Sequence, residues 1–320
     1  MSDIKLFRID SGIASELMGD ASDLEKPLQL LIESNLETLL GIRFLATEYS
    51  TGKTHSGRID SLGLDENNCP VILEYKRSTG ENVINQGLYY LDWLMDHKAE
   101  FTLLTINKLG KTSADAIDWS APRLVCIAAD FTKYDGHAVQ QINRNIELIR
   151  YRRFGHELLL LELANASNAS GAINQKSSVP KQTRNLPMVK NDSLIGKSAS
   201  PDKSYAEVLA TIPVSLSQVL ASLEDYTLSL GDDVQRKELR LYVAFKRIKN
   251  FATIVIQKSK ILLYLHVDPK QITASLPNAR DMSSIGHWGT GDVEISLVTI
   301  EDLDAVKPYI QMAYEGRAVK

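Results

Sequence analysis

The alternation of apolar and polar positions divides the chain into elements before any chemistry is considered. Leu28, Leu31, Ile32 and Leu39 fall on one helical stripe, with Ser22 or Asp23 placed to cap it, so a helix is expected over Asp23–Leu40. Runs at strand spacing follow at 42–49, 57–64 and 71–76. Helices are then expected at 82–97 and 101–109, a strand at 123–131, a helix at 137–152 and a strand at 157–163. A helix, an antiparallel meander and a helical crossover back into the same sheet predict an α/β fold, a mixed sheet with helices on its faces. From Asn165 to Lys203 the chain turns polar, poor in aromatics and punctuated by Pro and Gly, and such a stretch cannot bury enough surface to offset its ordering entropy. The expected organisation is therefore a domain over 1–164, a flexible linker over 165–203 and a smaller α+β domain over 204–320. The last is read as a helix at 215–230, strands at 241–248, 251–257 and 260–267, a short helix near 268–274, a strand at 291–297 and a helix at 301–314.

One strand departs from its own pattern. In VILEYK, Val71, Leu73 and Tyr75 share one face while Ile72, Glu74 and Lys76 share the other. Both faces begin apolar, as in a strand covered on both sides, where an unpartnered carboxylate or ammonium costs on the order of several kcal/mol. A turn centred near Asn67, among Asp65, Glu66, Asn68 and Pro70, sets Asp60 opposite Glu74. Two carboxylates and a lysine then converge on one patch of sheet. Paired carboxylates raise one of the two pKa values unless a cation lies between them. A hard divalent ion such as Mg²⁺ suits this arrangement, taking one or two carboxylates plus waters and a substrate phosphate. The lysine can hold the scissile phosphate or the attacking water. Together these groups are machinery for phosphodiester hydrolysis.

Composition narrows the classes. With 320 residues, 44% hydrophobic and 24% charged, the chain is an ordinary globular protein long enough for two cores. No run approaches the ~20 apolar residues of a spanning helix, and no basic-then-apolar leader opens the chain, so the expected location is the cytoplasm. Two cysteines, Cys69 and Cys126, suggest neither a disulfide framework nor a metal site. Residues 1–164 hold 17 Lys+Arg against 24 Asp+Glu, a net −7; residues 165–203 hold 6 against 2, and residues 204–320 hold 13 against 14. Strong sequence-independent nucleic-acid binding calls for a basic balance, so modest, salt-sensitive binding is expected. Arg144, Arg150, Arg152 and Arg153 at the end of the expected 137–152 helix either form a phosphate-contact surface or answer the helix macrodipole.

At the paired acids the sequence resembles a known family. Gly57-Arg58-Ile59-Asp60 followed by Glu74-Tyr75-Lys76 is similar to the bipartite D-x(n)-E-x-K signature of the PD-(D/E)XK nuclease superfamily, and within it to the RecB-like nuclease domain of the NucS/EndoMS mismatch endonucleases. The resemblance implies a restriction-endonuclease-like core, Mg²⁺ or Mn²⁺ as cofactor, Asp60, Glu74 and Tyr75 as the metal ligand set, and Lys76 as the catalytic lysine. It also implies an acidic residue on the first core helix, met by Glu25 with Glu33 as second choice. The Q-x-x-x-Y pattern of RecB-like members is matched by Gln86 and Tyr90, which either contact substrate or form a polar-capped core contact. Arg58 and Arg77 beside the motif either hold phosphates or rim the sheet. The implied activity is a metal-dependent nuclease, endonuclease ahead of exonuclease. Its partners would be nucleic acid, DNA ahead of RNA, with a homodimer or another protein as the protein partner. The competing readings are a cross-strand ion-pair cluster on a solvated hairpin, and a non-catalytic nucleic-acid-binding or regulatory module on the same fold. Further along, Ser284–Asp292, SIGHWGTGD, resembles part of a small domain of unknown function found fused behind such nuclease domains. Trp288 there either stacks on a base or packs inward within a tight connection.

Overall fold

The computed structural model describes residues 4–20, 25–52, 56–76, 83–167, 203–285 and 289–316, without the side chains at 20 and 25. The chain opens with a hairpin, β1 (Leu6–Asp10) and β2 (Ile13–Leu17), followed by β3 (Gly19–Asp20). Helices Glu25–Ser34 and Leu36–Leu40 lead into the meander β4 (Ile42–Ser50), β5 (Arg58–Asp65) and β6 (Pro70–Lys76). Helices Val83–Asp96, Lys98–Leu109 and Lys111–Asp115 cross to β7 (Arg123–Ala128), helix Lys133–Gln141 leads to β8 (Asn145–Phe154), and β9 (Leu158–Ser167) returns beside it. The strands form a seven-stranded sheet in the order β3-β8-β7-β6-β5-β4, with β9 also paired to β8. Pairing is antiparallel through β4, β5 and β6 and parallel from β6 through β7 to β8. This is the expected mixed α/β sheet flanked by helices.

The alternation in β6 explains how the layers assemble. Val71, Leu73 and Tyr75 bury against Leu28, Ile32 and Leu36 of the first helices, with Val125, Ile127 and Tyr151 from the neighbouring strands. Ile72 joins Leu62, Leu124 and Leu148 under Leu91, Trp93 and Leu94 of the long helix. A sheet covered on both faces needs apolar residues at successive positions, and β6 and β7 supply them.

Double coverage also misleads a reading by periodicity. The expected helix at 137–152 is in fact two elements. A helix starts from the Thr132 capping box with Asp135 and ends at Gln141, and NIELIRYRRF is strand β8. Ile146 and Leu148 face one layer while Ile149 and Tyr151 face the other, so polar alternation is lost and Ile146 and Ile149 fall at helical spacing. The expected Asp23–Leu40 helix breaks at Asn35 and ends at Gly41, whose φ of 65° closes the helix in the left-handed conformation that glycine takes without cost. The exposed hairpin β1–β2 was not expected, and β9 runs to Ser167, past the point where the linker was read to begin. The rest of that linker, residues 168–202, lies outside the described residues.

The second, sheet-rich region holds helices Tyr205–Leu209, Val214–Leu228 and Ile300–Glu315 over an antiparallel sheet. Its strands are β10 (Gln235–Glu238), β11 (Val243–Lys246), β12 (Asn250–Ile256), β13 (Ile261–Leu265), β14 (Ala279–Asp281) and β15 (Val293–Leu297), ordered β10-β11-β12-β13-β15-β14. Its core joins Val219, Leu223, Leu303, Val306 and Ile310 to the inner face of the sheet. The opposite face carries Tyr242, Ala244, Val255 and Leu262 and packs on Cys69 and Ala121 of the first region.

A buried ionic layer crosses this contact. Arg123 grips Glu147 with two bonds of 2.9 and 2.8 Å and reaches Asp65 at 2.9 Å. From the second region Lys246 meets Glu147 at 2.9 Å and Lys237 meets Asp65 at 3.4 Å. All five side chains are almost wholly buried. Burial pushes the Asp65 carboxyl up, but Lys237 and Arg123 outweigh it and hold it at about 2; Arg123 and Lys246 do the same for Glu147, also at about 2. Asp65 further accepts the amides of Asn67 and Cys69, so the residue that shapes the β5–β6 turn also anchors the second region.

Candidate functional site

The site forms where β5 and β6 part. Their pairing runs from Leu64–Pro70 to Ser61–Leu73, and the next step sets Asp60 opposite Glu74. There the two carboxyl groups take up main-chain hydrogen bonds. The amide of Asp60 donates to Glu74 Oε1 at 3.3 Å, and the amide of Tyr75 donates to Asp60 Oδ2 at 2.9 Å. Glu74 has zero exposure, and its Oε2 is buried without a hydrogen-bond partner among the described residues. Burial, then the charge of Asp60, pushes the Glu74 carboxyl up to about 9, against the opposing pull of Lys76.

Asp60 and Lys76 line a cavity of about 590 Å³ together with Lys26, Gln29, Glu48 and Tyr90. Gln86 and Tyr90 converge on it from the long helix: Gln86 Nε2 donates to the Tyr90 hydroxyl, which also accepts the Arg58 amide, both at 3.2 Å. The Tyr90 ring lies so close to Gly57 that a Cβ there would approach Tyr90 Cε1 to 2.5 Å. Asp60, Glu74, Lys76, Gln86, Tyr90 and Arg58 are thus brought into one neighbourhood.

Of the other expected residues, Tyr75 also lines the cavity, whereas Glu33 does not. Glu33 accepts Ser61 Oγ at 2.6 Å and Gln29 Nε2 at 2.9 Å. The Tyr75 phenol is buried on the opposite face beside Ser61, leaving only its main chain toward the acids. Glu25 opens its helix, but its side chain, like the whole of Arg77 and of Trp288, lies outside the described residues. Arg150, Arg152 and Arg153 belong to strand β8 and Arg144 to the bend before it, not to a helix end, and Arg150 is tied to Asp130 and Glu162 at 2.7 and 2.9 Å, so it is not a free phosphate contact.

Residues 206–316 match a domain of unknown function, DUF5655. The chain is 28% identical to an uncharacterized protein of Haemophilus influenzae, over 97% of this chain and 99% of that one. Among solved structures it is similar to a repair endonuclease from Pyrococcus abyssi, at 19% identity, 42% of this chain, 50% of that chain and a TM-score of 0.27. It is also similar to EndoMS in a complex with dsDNA, at 20% identity, 41% of this chain, 48% of that chain and a TM-score of 0.24. The chain spans about half the length of these two structures.

Three cavity residues escaped the reading of the sequence. Gln29, almost fully buried, donates to the Asp60 carbonyl at 2.8 Å and so fixes the strand that carries the acid. Glu48 reaches the site through a bulge: Phe44 pairs with Gly63 and Ala46 with Leu62, so Leu45 is the extra residue and the shifted register sets Glu48 opposite Asp60. Lys26 binds Glu48 at 2.7 Å.

Among the described residues no three His, Cys, Asp or Glu side chains close a cage for a metal ion. A hard divalent ion does not need one, since one or two carboxylates with waters suffice. The donor set of Asp60 and Glu74, both oxygen ligands, with one Glu74 oxygen unsatisfied among the described residues, fits such an ion.

Proposed function

We propose that the protein is a metal-dependent nuclease that hydrolyses phosphodiester bonds, in DNA ahead of RNA. The observation that carries the reading is Glu74 Oε2, buried without a partner among the described residues, beside Asp60 and two residues before Lys76, both of which line an open cavity. A buried carboxyl left half satisfied is costly, and a ligand that completes it removes the cost. Asp60 and Glu74 would hold Mg²⁺ or Mn²⁺. When bound, the ion supplies polarisation of the phosphoryl oxygen and a lower pKa for water. Lys76, on the same face of β6 as Glu74, would hold the scissile phosphate or the attacking water and stabilise the developing charge. Tyr90, fixed between Gln86 and the Arg58 amide, would fix the wall against which the substrate backbone lies.

The test is cleavage by purified full-length protein of single-stranded, duplex and branched DNA and of RNA, with Mg²⁺ or Mn²⁺. Asp60→Ala should abolish cleavage, and Lys76→Ala should lower it by about 10²–10⁴-fold, the usual share of a positioned acid–base group. Equal activity of wild type and both variants would end the catalytic reading.

A further inference from the structure

Two locally unfavourable placements meet at the mouth of the cavity. Lys26 stands in the first turn of helix Glu25–Ser34, where the macrodipole disfavours a cation. Glu48 has a φ of 50° within β4, a left-handed conformation that non-glycine residues avoid and that persists where the surrounding structure imposes it, often at functional sites. The two form an ion pair of 2.7 Å, and Arg58 Nε pairs with the other Glu48 oxygen. Lys26 also donates to Gln29 Oε1 at 3.3 Å, and Gln29 in turn holds the Asp60 carbonyl. The cations are thereby linked to the strand that carries the acid. Their side chains are 51% and 68% exposed, against 29% for Glu48, so the anion sits inside and the cations face solvent.

We propose that Lys26 and Arg58 form a phosphate subsite for the nucleic-acid backbone next to the scissile position, and that Glu48 is an internal anion that positions both cations and competes with the incoming phosphate. The proposal rests on the nuclease reading for the identity of the ligand. It also accounts for how a region of net −7 could engage a polyanion: the contact is made by two cations held in place, while general electrostatic attraction stays weak. A phosphate arriving between Lys26 and Arg58 takes over hydrogen bonds now made to Glu48 and must do so against the charge of that carboxylate. Removing the Glu48 charge should therefore tighten binding, whereas loss of a merely structural ion pair would not.

Binding of a labelled oligonucleotide duplex and single strand, followed by fluorescence anisotropy with Mg²⁺ on full-length protein carrying Asp60→Ala so that nothing is cut, provides the test. Lys26→Ala and Arg58→Ala should each weaken binding and lower the slope of log K against log salt by about one. Glu48→Gln should tighten binding by about threefold at low salt, within the span of partly exposed ion pairs. Glu48→Asn, which tolerates the left-handed backbone, repeats this if the glutamine variant folds poorly. Inorganic phosphate and a mononucleotide, added as competitors, should displace the oligonucleotide only in large excess. Unchanged affinity in Lys26→Ala and Arg58→Ala, weaker or equal binding in Glu48→Gln and Glu48→Asn, or competition by a mononucleotide at oligonucleotide concentrations would each overturn the subsite. These binding responses together with a wild type that cuts no substrate would retain the subsite and end the nuclease reading. Cleavage without the responses would do the reverse.

Discussion

Glu74 Oε1 accepts the main-chain amide of Asp60 at 3.3 Å, while the second oxygen of the same carboxyl has no partner among the described residues. With burial and the Asp60 charge acting together, the folded protein favours protonated Glu74 up to about 9, far above its ordinary 4.5. The stability contributed by that proton is complete below about 4.5 and is lost as the pH rises through about 9. A divalent ion must displace the proton, so Mn²⁺ affinity should climb through this window, approaching about tenfold per pH unit. Glu74→Gln should bind weakly at every pH. Calorimetric titration in buffers of different ionisation enthalpy counts the proton released, and pH-independent Mn²⁺ affinity in the wild type would refute the assignment of Glu74 as a ligand.

Gly57→Ala offers a test of the Tyr90 wall. The added Cβ would lie 2.5 Å from Tyr90 Cε1 and 2.9 Å from its hydroxyl, so the ring must move and its bond with the Arg58 amide must lengthen. Overpacking of this kind costs about 1–3 kcal/mol. Thermal unfolding should fall modestly while cleavage falls far more, because the displaced ring borders the cavity. A variant with wild-type cleavage would show that Tyr90 only fills space.

The Asp60–Glu74 relation could be read from the sequence because a hairpin turn counts residues: once its centre is near Asn67, the register of β5 on β6 follows. Gln86 and Tyr90 were legible only through the resemblance to the Q-x-x-x-Y pattern, on the helix after β6. Glu48 was not, because the bulge at Leu45 shifts one strand by a residue and leaves no sign in IRFLATEYS. The tie between Asp65 and Lys237 was illegible for another reason. The turn reads as solvated, and only the arrival of a second sheet buries it. Strand β10, QRKE, has no apolar pattern, since it lies at the sheet edge.

Arg123 should be among the most costly single positions in the chain. It satisfies two carboxylates at once, and Arg123→Met would leave Asp65 and Glu147 buried with only the lysines of the second region. Breaking a buried ionic group by removing one member costs about 3–5 kcal/mol. Denaturant titration should show that loss. Replacing Asp65, Arg123 and Glu147 together by apolar residues of similar volume should recover part of it. A loss under about 1 kcal/mol in Arg123→Met would mean that water already reaches the network.

The two cysteines report separately on the contact between the regions and on the first core. Cys69 is buried at the contact, among Ala121, Tyr242 and Met282, whereas Cys126 lies inside the sheet beside Glu74. Burial raises both thiols, so neither reacts readily while folded. Asp65 and Glu147 hold folded values of about 2 against ordinary values of 3.8 and 4.5, so their stabilisation is present above about 4.5 and is lost as the pH falls through about 2. Acid should therefore loosen the contact before the sheet, because the lysines of the second region lose their counter-charges while the apolar layers stay packed. A thiol reagent active in acid, followed by peptide mapping, should label Cys69 at a higher pH than Cys126, and Lys246→Met should raise the pH at which Cys69 becomes reactive. Simultaneous labelling of both cysteines at every pH would mean that the contact opens only when the whole chain unfolds.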